Sequence, residues 1–190
     1  MIDRPFIGES VIRETKLLDI YGDTMPGAQP AAPLSTVSMS GRVSVPQSCQ
    51  LAPGQVTTIE FDNLHPDTLS TPGAATPNNT RQRTFQIQCT NISETVAINL
   101  SLESAAHPRF PDVFATHRRT DVGIQVSNHG RIVPPLAEGA APTPAQIIPL
   151  TLDYAAQRAE FTIEAYPVRT EKHLVPGPFE GAATLKFEFE

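Results

Sequence analysis

An all-β chain is what this 190-residue sequence predicts, and three observations carry the prediction. Short runs alternate apolar and polar residues with period two, the pattern of half-buried strands. No stretch sustains helical periodicity, while nineteen prolines, eleven glycines and many Ser and Thr residues punctuate the runs as turns do. Two cysteines, Cys49 and Cys89, each sit in a strand-like context. Seven or more short strands, no helix and a cysteine pair so placed indicate an immunoglobulin-like β-sandwich.

Residues 1–34 read as an N-terminal arm or linker, and 35–190 as one domain. Met1–Ile7 carries no apolar core of the kind a secretory signal needs. Residues 11–20 fit a short strand or a short helix equally, and the Pro/Ala/Gly-rich run 26–33 reads as a linker. Order resumes at Ser35. Val37, Met39, Gly41, Val43 and Val45 fall on one face of a strand and Ser38, Ser40, Arg42 and Ser44 on the other. A glycine inside such a strand marks a bulge or a close approach by another surface.

After the Pro53-Gly54 turn a second strand is expected at 55–61, then a loop at 62–80. Further strands are expected at 83–89, 95–103, 122–127, 147–153 and 159–166. Asn128-His129-Gly130 has the composition of a tight turn, which folds 131–133 back on the strand before it.

The last run has the strongest alternation. From Phe179 onward Gly181, Ala183, Leu185, Phe187 and Phe189 share one face, and mostly Glu, Thr or Lys occupy the other, up to Glu190. A chain end frays unless something ties it down. An amphipathic strand running to the last residue is therefore expected to meet another strand.

Composition excludes several roles. A net charge of −6 and an isoelectric point near 5.3 argue against nucleic acid or an anionic membrane surface as partner. No apolar run approaches the length of a membrane span. His65, His107, His117, His129 and His173 are scattered without metal-ligand spacing and read as surface or turn residues. No nucleophile elbow, phosphate-binding loop or dinucleotide fingerprint occurs, so no catalytic residue, metal or cofactor is assigned. Arg109, His117, Arg118 and Arg119 form the one basic cluster, expected in a solvated loop. The cysteines leave two readings open. They are either free buried thiols or one disulfide, which implies an oxidising compartment.

At this point the residues resemble a known family, the pilus subunits assembled by the chaperone–usher pathway. Val37-Ser38-Met39-Ser40-Gly41-Arg42-Val43 resembles the family's donor strand with its central glycine, and Cys49 its first cysteine. Phe85-Gln86-Ile87-Gln88-Cys89 resembles the strand bearing the second. Residues 122–127 and 161–166 look like two internal strands. Gly177 and Phe189 match a glycine near the chain end and a penultimate aromatic.

The resemblance implies a disulfide between Cys49 and Cys89 and an incomplete sandwich lacking its final strand. It implies a groove beside a terminal strand that carries Gly177, Phe179, Ala183, Leu185, Phe187, Phe189 and Glu190. A donated strand would complete the fold, first from a periplasmic chaperone and then from a neighbouring subunit's Val37, Met39, Gly41 and Val43. The implied partners are chaperone, outer-membrane usher and neighbouring subunits, with a host glycan or receptor only at a fibre tip. The implied location is the periplasm in transit, then the extracellular fimbrium.

The reading is thus a structural, non-enzymatic subunit, minor or adaptor in type, that polymerises by donor-strand exchange and contributes to adhesion. Two alternatives stand beside it. One is the pilin domain of a two-domain tip adhesin, the arm being a remnant of the receptor-binding half. The other is a self-contained secreted immunoglobulin-like binding module.

Overall fold

The computed structural model describes residues 8–22, 32–74, 79–92, 94 and 96–189. Glu190, Thr95 and residues 26–31 of the expected linker lie outside the described residues. The chain falls into two compact units, Met1–Ser48 and Cys49–Glu190. Residues 35–48 fall within the first unit.

In the first unit β1 (Gly8–Ile20) and β2 (Ser35–Val45) form an antiparallel ribbon, running from Gly8 opposite Val45 to Ile20 opposite Ser35. Residues 11–20 are therefore strand. The alternation of β2 gives them a partner whose apolar face they share. Val37, Gly41 and Val43 stand opposite Leu18, Ile12 and Ser10, on the same face of the ribbon. Apart from Val11, the other face is polar. Arg42 Nε donates to Glu9 Oε1 at 2.7 Å, and Asp19 accepts from Lys16 Nζ and Thr36 Oγ1, both at 2.7 Å. Val37, Met39 and Val43 are exposed at 39%, 47% and 38%. A two-stranded ribbon alone is marginally stable in water, so this apolar face calls for cover.

The second unit begins with β3 (Ser48–Leu51), β4 (Arg81–Thr90), β5 (Ile98–Glu103), β6 (Ala106–His107) and β7 (Phe110–Thr116). It continues with β8 (Arg119–Asn128), β9 (Arg131–Ile132), β10 (Thr151–Asp153), β11 (Arg158–Arg169) and β12 (Thr184–Phe189). One sheet has the order β3-β4-β11-β8-β7-β6, with β10 beside β11 and β9 beside β8; the other pairs β12 with β5. Inward residues of both layers make one core. Phe85 and Phe161 stand opposite each other on β4 and β11, their rings stacked at 5.2 Å. Leu100 and Leu102 of β5 close the core from the facing layer, both buried.

Period two explains β4 directly. Phe85, Ile87 and Cys89 are buried while Thr84, Gln86 and Gln88 between them are exposed. Cys49 and Cys89 are bonded, with an S–S distance of 2.01 Å, so neither is a free thiol and β3 is tied to β4. The turn at 128–130 has the predicted form. His129 and Gly130 take φ of 49° and 75°, and Ile132 pairs with Ser127.

Several expectations are corrected. Residues 55–61 form no strand. Gly54 turns the chain at φ 80°. The amide of Gln55 then bonds both backbone groups of Gln86, where a strand would have paired. The expected strand at 147–153 shortens to β10, with Ile148 making a single bridge to Leu100. Strand β7 was not expected, because Pro111 and Pro108 mask its alternation. His107 is buried rather than exposed: its Nδ1 accepts from the Arg109 N–H at 3.2 Å, and its Nε2 lies 2.9 Å from Thr120 O. Arg119 is not in a solvated loop; it opens β8 in a buried ion pair.

Candidate strand-binding groove

Strand β12 pairs along one edge with β5, in the register Leu185–Leu102, Phe187–Leu100 and Phe189–Ile98. Its other edge joins no ladder among the described residues. Beside that edge opens a trough of about 360 Å³, bounded by Thr57–Phe61 on one side and Gly181–Leu185 on the other. Phe85, Phe114, Ile124, Val126 and Phe161 line its floor, so the trough opens onto the core itself. It shares Ile59, Phe61, Ile124 and Gly181 with a second trough of about 940 Å³, walled by Glu60–Leu64 and Leu174–Glu180. The two troughs adjoin at these shared residues.

Apart from Leu185 at the start of β12, neither wall is a ladder strand. The first, residues 55–64, is held to β4 by side chains: Arg83 Nη1 donates to Val56 O at 3.2 Å and Arg81 Nη2 to Asp62 Oδ2 at 2.7 Å. The second, residues 174–183, hangs from the turn between β7 and β8. The His117 N–H donates to Glu180 O at 2.8 Å, and Ser104 Oγ donates to Ala182 O at 2.7 Å. At Gly181 a Cβ atom would stand 3.2 Å from Ile124 Cδ1 and 3.3 Å from Ala115 O, so the wall lies close against the sheet there.

Arg119 and Asp121 carry most of the remaining hold. Arg119 Nε and Nη2 donate to the Asp121 carboxylate at 2.9 and 2.6 Å, with the two side chains 14% and 9% exposed. Arg119 Nη1 also donates to Gly177 O at 2.8 Å and Nη2 to Val175 O, while the Val175 N–H donates to Asp121 Oδ2 at 2.8 Å. The Arg119 hydrogen bonds, aided by the Val175 N–H, hold the Asp121 carboxyl below the usual carboxylate range against the opposing effect of burial. Sequence reasoning missed this pair as a unit. The spacing i, i+2 on one strand face was readable, but its third partner lies more than fifty residues away.

The residues singled out in the terminal run are divided by the structure. Ala183 and Leu185 line the first trough, while Gly177 and Phe179 line the second. Gly177 takes φ 146°, a conformation that favours glycine. Phe187 and Phe189 are half-buried and pack against the core rather than lining either trough. The ladder begins at Thr184, so 179–183 is wall rather than strand. Val37, Met39, Gly41 and Val43 lie on β2, paired with β1. Among the described residues no group of three or more His, Cys, Asp or Glu is placed to hold a metal ion.

Two β-layers around one core, tied by a disulfide between neighbouring strands, define an immunoglobulin-like β-sandwich. The chain belongs to the fimbrial protein family, which it matches over residues 37–190.

Among curated relatives it is 32% identical to Protein LpfD of Salmonella typhimurium over 98% of this chain and 52% of that protein. It is 28% identical to the type 1 fimbrin D-mannose specific adhesin of the same organism, over 98% of this chain and 54% of that protein. The chain thus spans about half the length of these relatives. A solved chaperone–usher pilus, studied for the basis of rod uncoiling, is 14% identical and covers 89% of this chain and 100% of its own, with a TM-score of 0.52. At that identity the likeness speaks for the fold alone.

Proposed function

We propose that the groove between residues 57–64 and 174–185 accepts a β-strand from another protein, and that this chain assembles into a fimbria by that exchange. The observation that carries the reading is a trough floored by core phenylalanines at the start of β12, where Leu185 lines it and the strand's other edge joins no ladder among the described residues. An added strand would satisfy the backbone groups of that edge while alternate apolar side chains fill the trough. Each side chain so buried contributes about 1.5–3 kcal/mol. The donors of this reading are a periplasmic chaperone in transit and a neighbouring subunit in the fibre, with an outer-membrane usher between them. The product is a surface fimbrium that contributes to adhesion, with this chain as a minor or adaptor subunit.

The test is a thermal melt of the full chain with and without a synthetic peptide of Ser35–Val45, an alternating apolar strand with a central glycine. A higher melting temperature, absent with a scrambled peptide, supports the reading. A chain that melts cooperatively at high temperature and ignores the peptide is a self-contained sandwich, and the reading falls.

A second reading is favoured by the ribbon. Strand β2 is paired with β1 along its length and so is not free to be given away. The chain's similarity to a D-mannose specific adhesin also runs through the ribbon. On this reading the ribbon belongs to a receptor-binding unit of a two-domain tip adhesin, its apolar face covered by that unit. The second unit then takes up a strand but donates none. A host glycan is the partner for such a unit.

A further inference from the structure

The wall formed by Leu174–Gly181 presents an unusual hydrogen-bonding problem. Val175-Pro176-Gly177-Pro178 contains two residues without a backbone N–H, so no ladder can hold it. What it offers are four carbonyls and two amides, those of Val175 and Gly177. Arg119 collects two of the carbonyls, those of Val175 and Gly177, and Asp121 accepts from the Val175 amide. Arg119 itself is aimed by a bidentate bond to Asp121, a geometry that the planar guanidinium matches and an ammonium does not. Thr170 adds a bond from its N–H to Asp121 O where the segment leaves β11. Arg119 also lines the same groove.

We propose that Arg119 and Asp121 are positioning residues for strand uptake: together they hold the Val175–Pro178 wall in the pose that keeps the groove open. The proposal rests on the strand-accepting reading above. A wall without this clamp samples poses that overlap the groove. The strand-competent fraction falls, and apparent affinity falls with it.

The experiment compares the full chain with the Arg119→Lys and Asp121→Asn variants and the double variant Arg119→Met/Asp121→Leu. The double variant leaves no orphaned charge and so guards against simple misfolding. Two quantities are read. Hydrogen exchange of the free chain is followed at residues 174–181 and, as a reference, at β4 and β11, which carry neither substitution. Capture of the Ser35–Val45 peptide is followed by stopped flow. Exchange in 174–181 is expected to accelerate in all three variants, with the reference strands unchanged. Peptide affinity is expected to fall about ten-fold, chiefly in the association rate.

Unchanged exchange at 174–181 overturns the clamp. Faster exchange with undiminished capture overturns its role in uptake. Faster exchange in the reference strands of the double variant as well makes the pair a general support of the fold, and the proposal fails. A native chain that captures no peptide overturns the strand-accepting reading, while the exchange data still decide the clamp.

Discussion

The rings of Phe61 and Phe179 stack across the groove, their centroids 6.1 Å apart and their planes at 25°. Each ring comes from a different wall, so the contact ties two segments that share no ladder. A stacked aromatic pair is worth about 0.5–1.5 kcal/mol beyond the area it buries. A double-mutant cycle on Phe61→Ala and Phe179→Ala should return a coupling of that size in chemical denaturation. Strict additivity of the two changes would mean that the walls are held independently.

The disulfide closes a loop of sequence separation 40 between neighbouring strands. The chain-entropy estimate for a loop of that length is roughly 4 kcal/mol. Reduction, or Cys49→Ser with Cys89→Ser, should lower the denaturant midpoint accordingly without changing the fold. The denatured, unreduced protein should show no free thiol. Two titratable thiols would contradict the bond.

Gly41 separates the two readings of β2. A Cβ there would meet only Ile12 Cδ1, at 3.9 Å, an ordinary contact. Gly41→Leu should therefore leave the ribbon's own structure in place. If β2 is donated to a neighbour, the bulky side chain should block assembly of fibres. If β2 belongs to a receptor-binding unit, assembly should proceed unchanged. Fibre counts by electron microscopy decide between them.

Asp121 makes the clamp sensitive to acid. Its carboxyl titrates below the usual range in the folded chain, so the unfolded state takes up a proton first as pH falls. The clamp's contribution is complete above the ordinary carboxylate pKa of about 3.9 and is lost as pH falls through the lower folded value. Removing one partner of such a pair costs about 2–4 kcal/mol at neutral pH. Asp121→Asn should therefore be less stable than the native chain at pH 7, and the difference should shrink as pH falls below the ordinary carboxylate pKa of about 3.9. A constant difference from pH 7 to pH 2 would show that the carboxylate's charge plays no part.

Local alternation was enough to place β4, β8 and β11, because Phe85, Ile87 and Cys89, like Phe161, Ile163 and Ala165, face one core at period two. It also placed the turn at His129-Gly130 and marked the last residues as an amphipathic edge. Tertiary structure decided what that edge faces. Residues 55–61 alternate well enough for a strand, but the Gln86 backbone groups are taken by the Gln55 amide, and a long-range loss of that kind leaves no trace in local pattern. The same holds for Phe187 and Phe189, which share a face with Ala183 and Leu185 yet pack on the core. The sheet's register, and not the alternation, determines where along one face the groove ends. Arg119 looked like part of a basic loop because its sequence neighbours are His117 and Arg118. It becomes a buried clamp only when the chain returns with Val175 and Gly177, whose prolines leave carbonyls that a guanidinium alone is placed to collect.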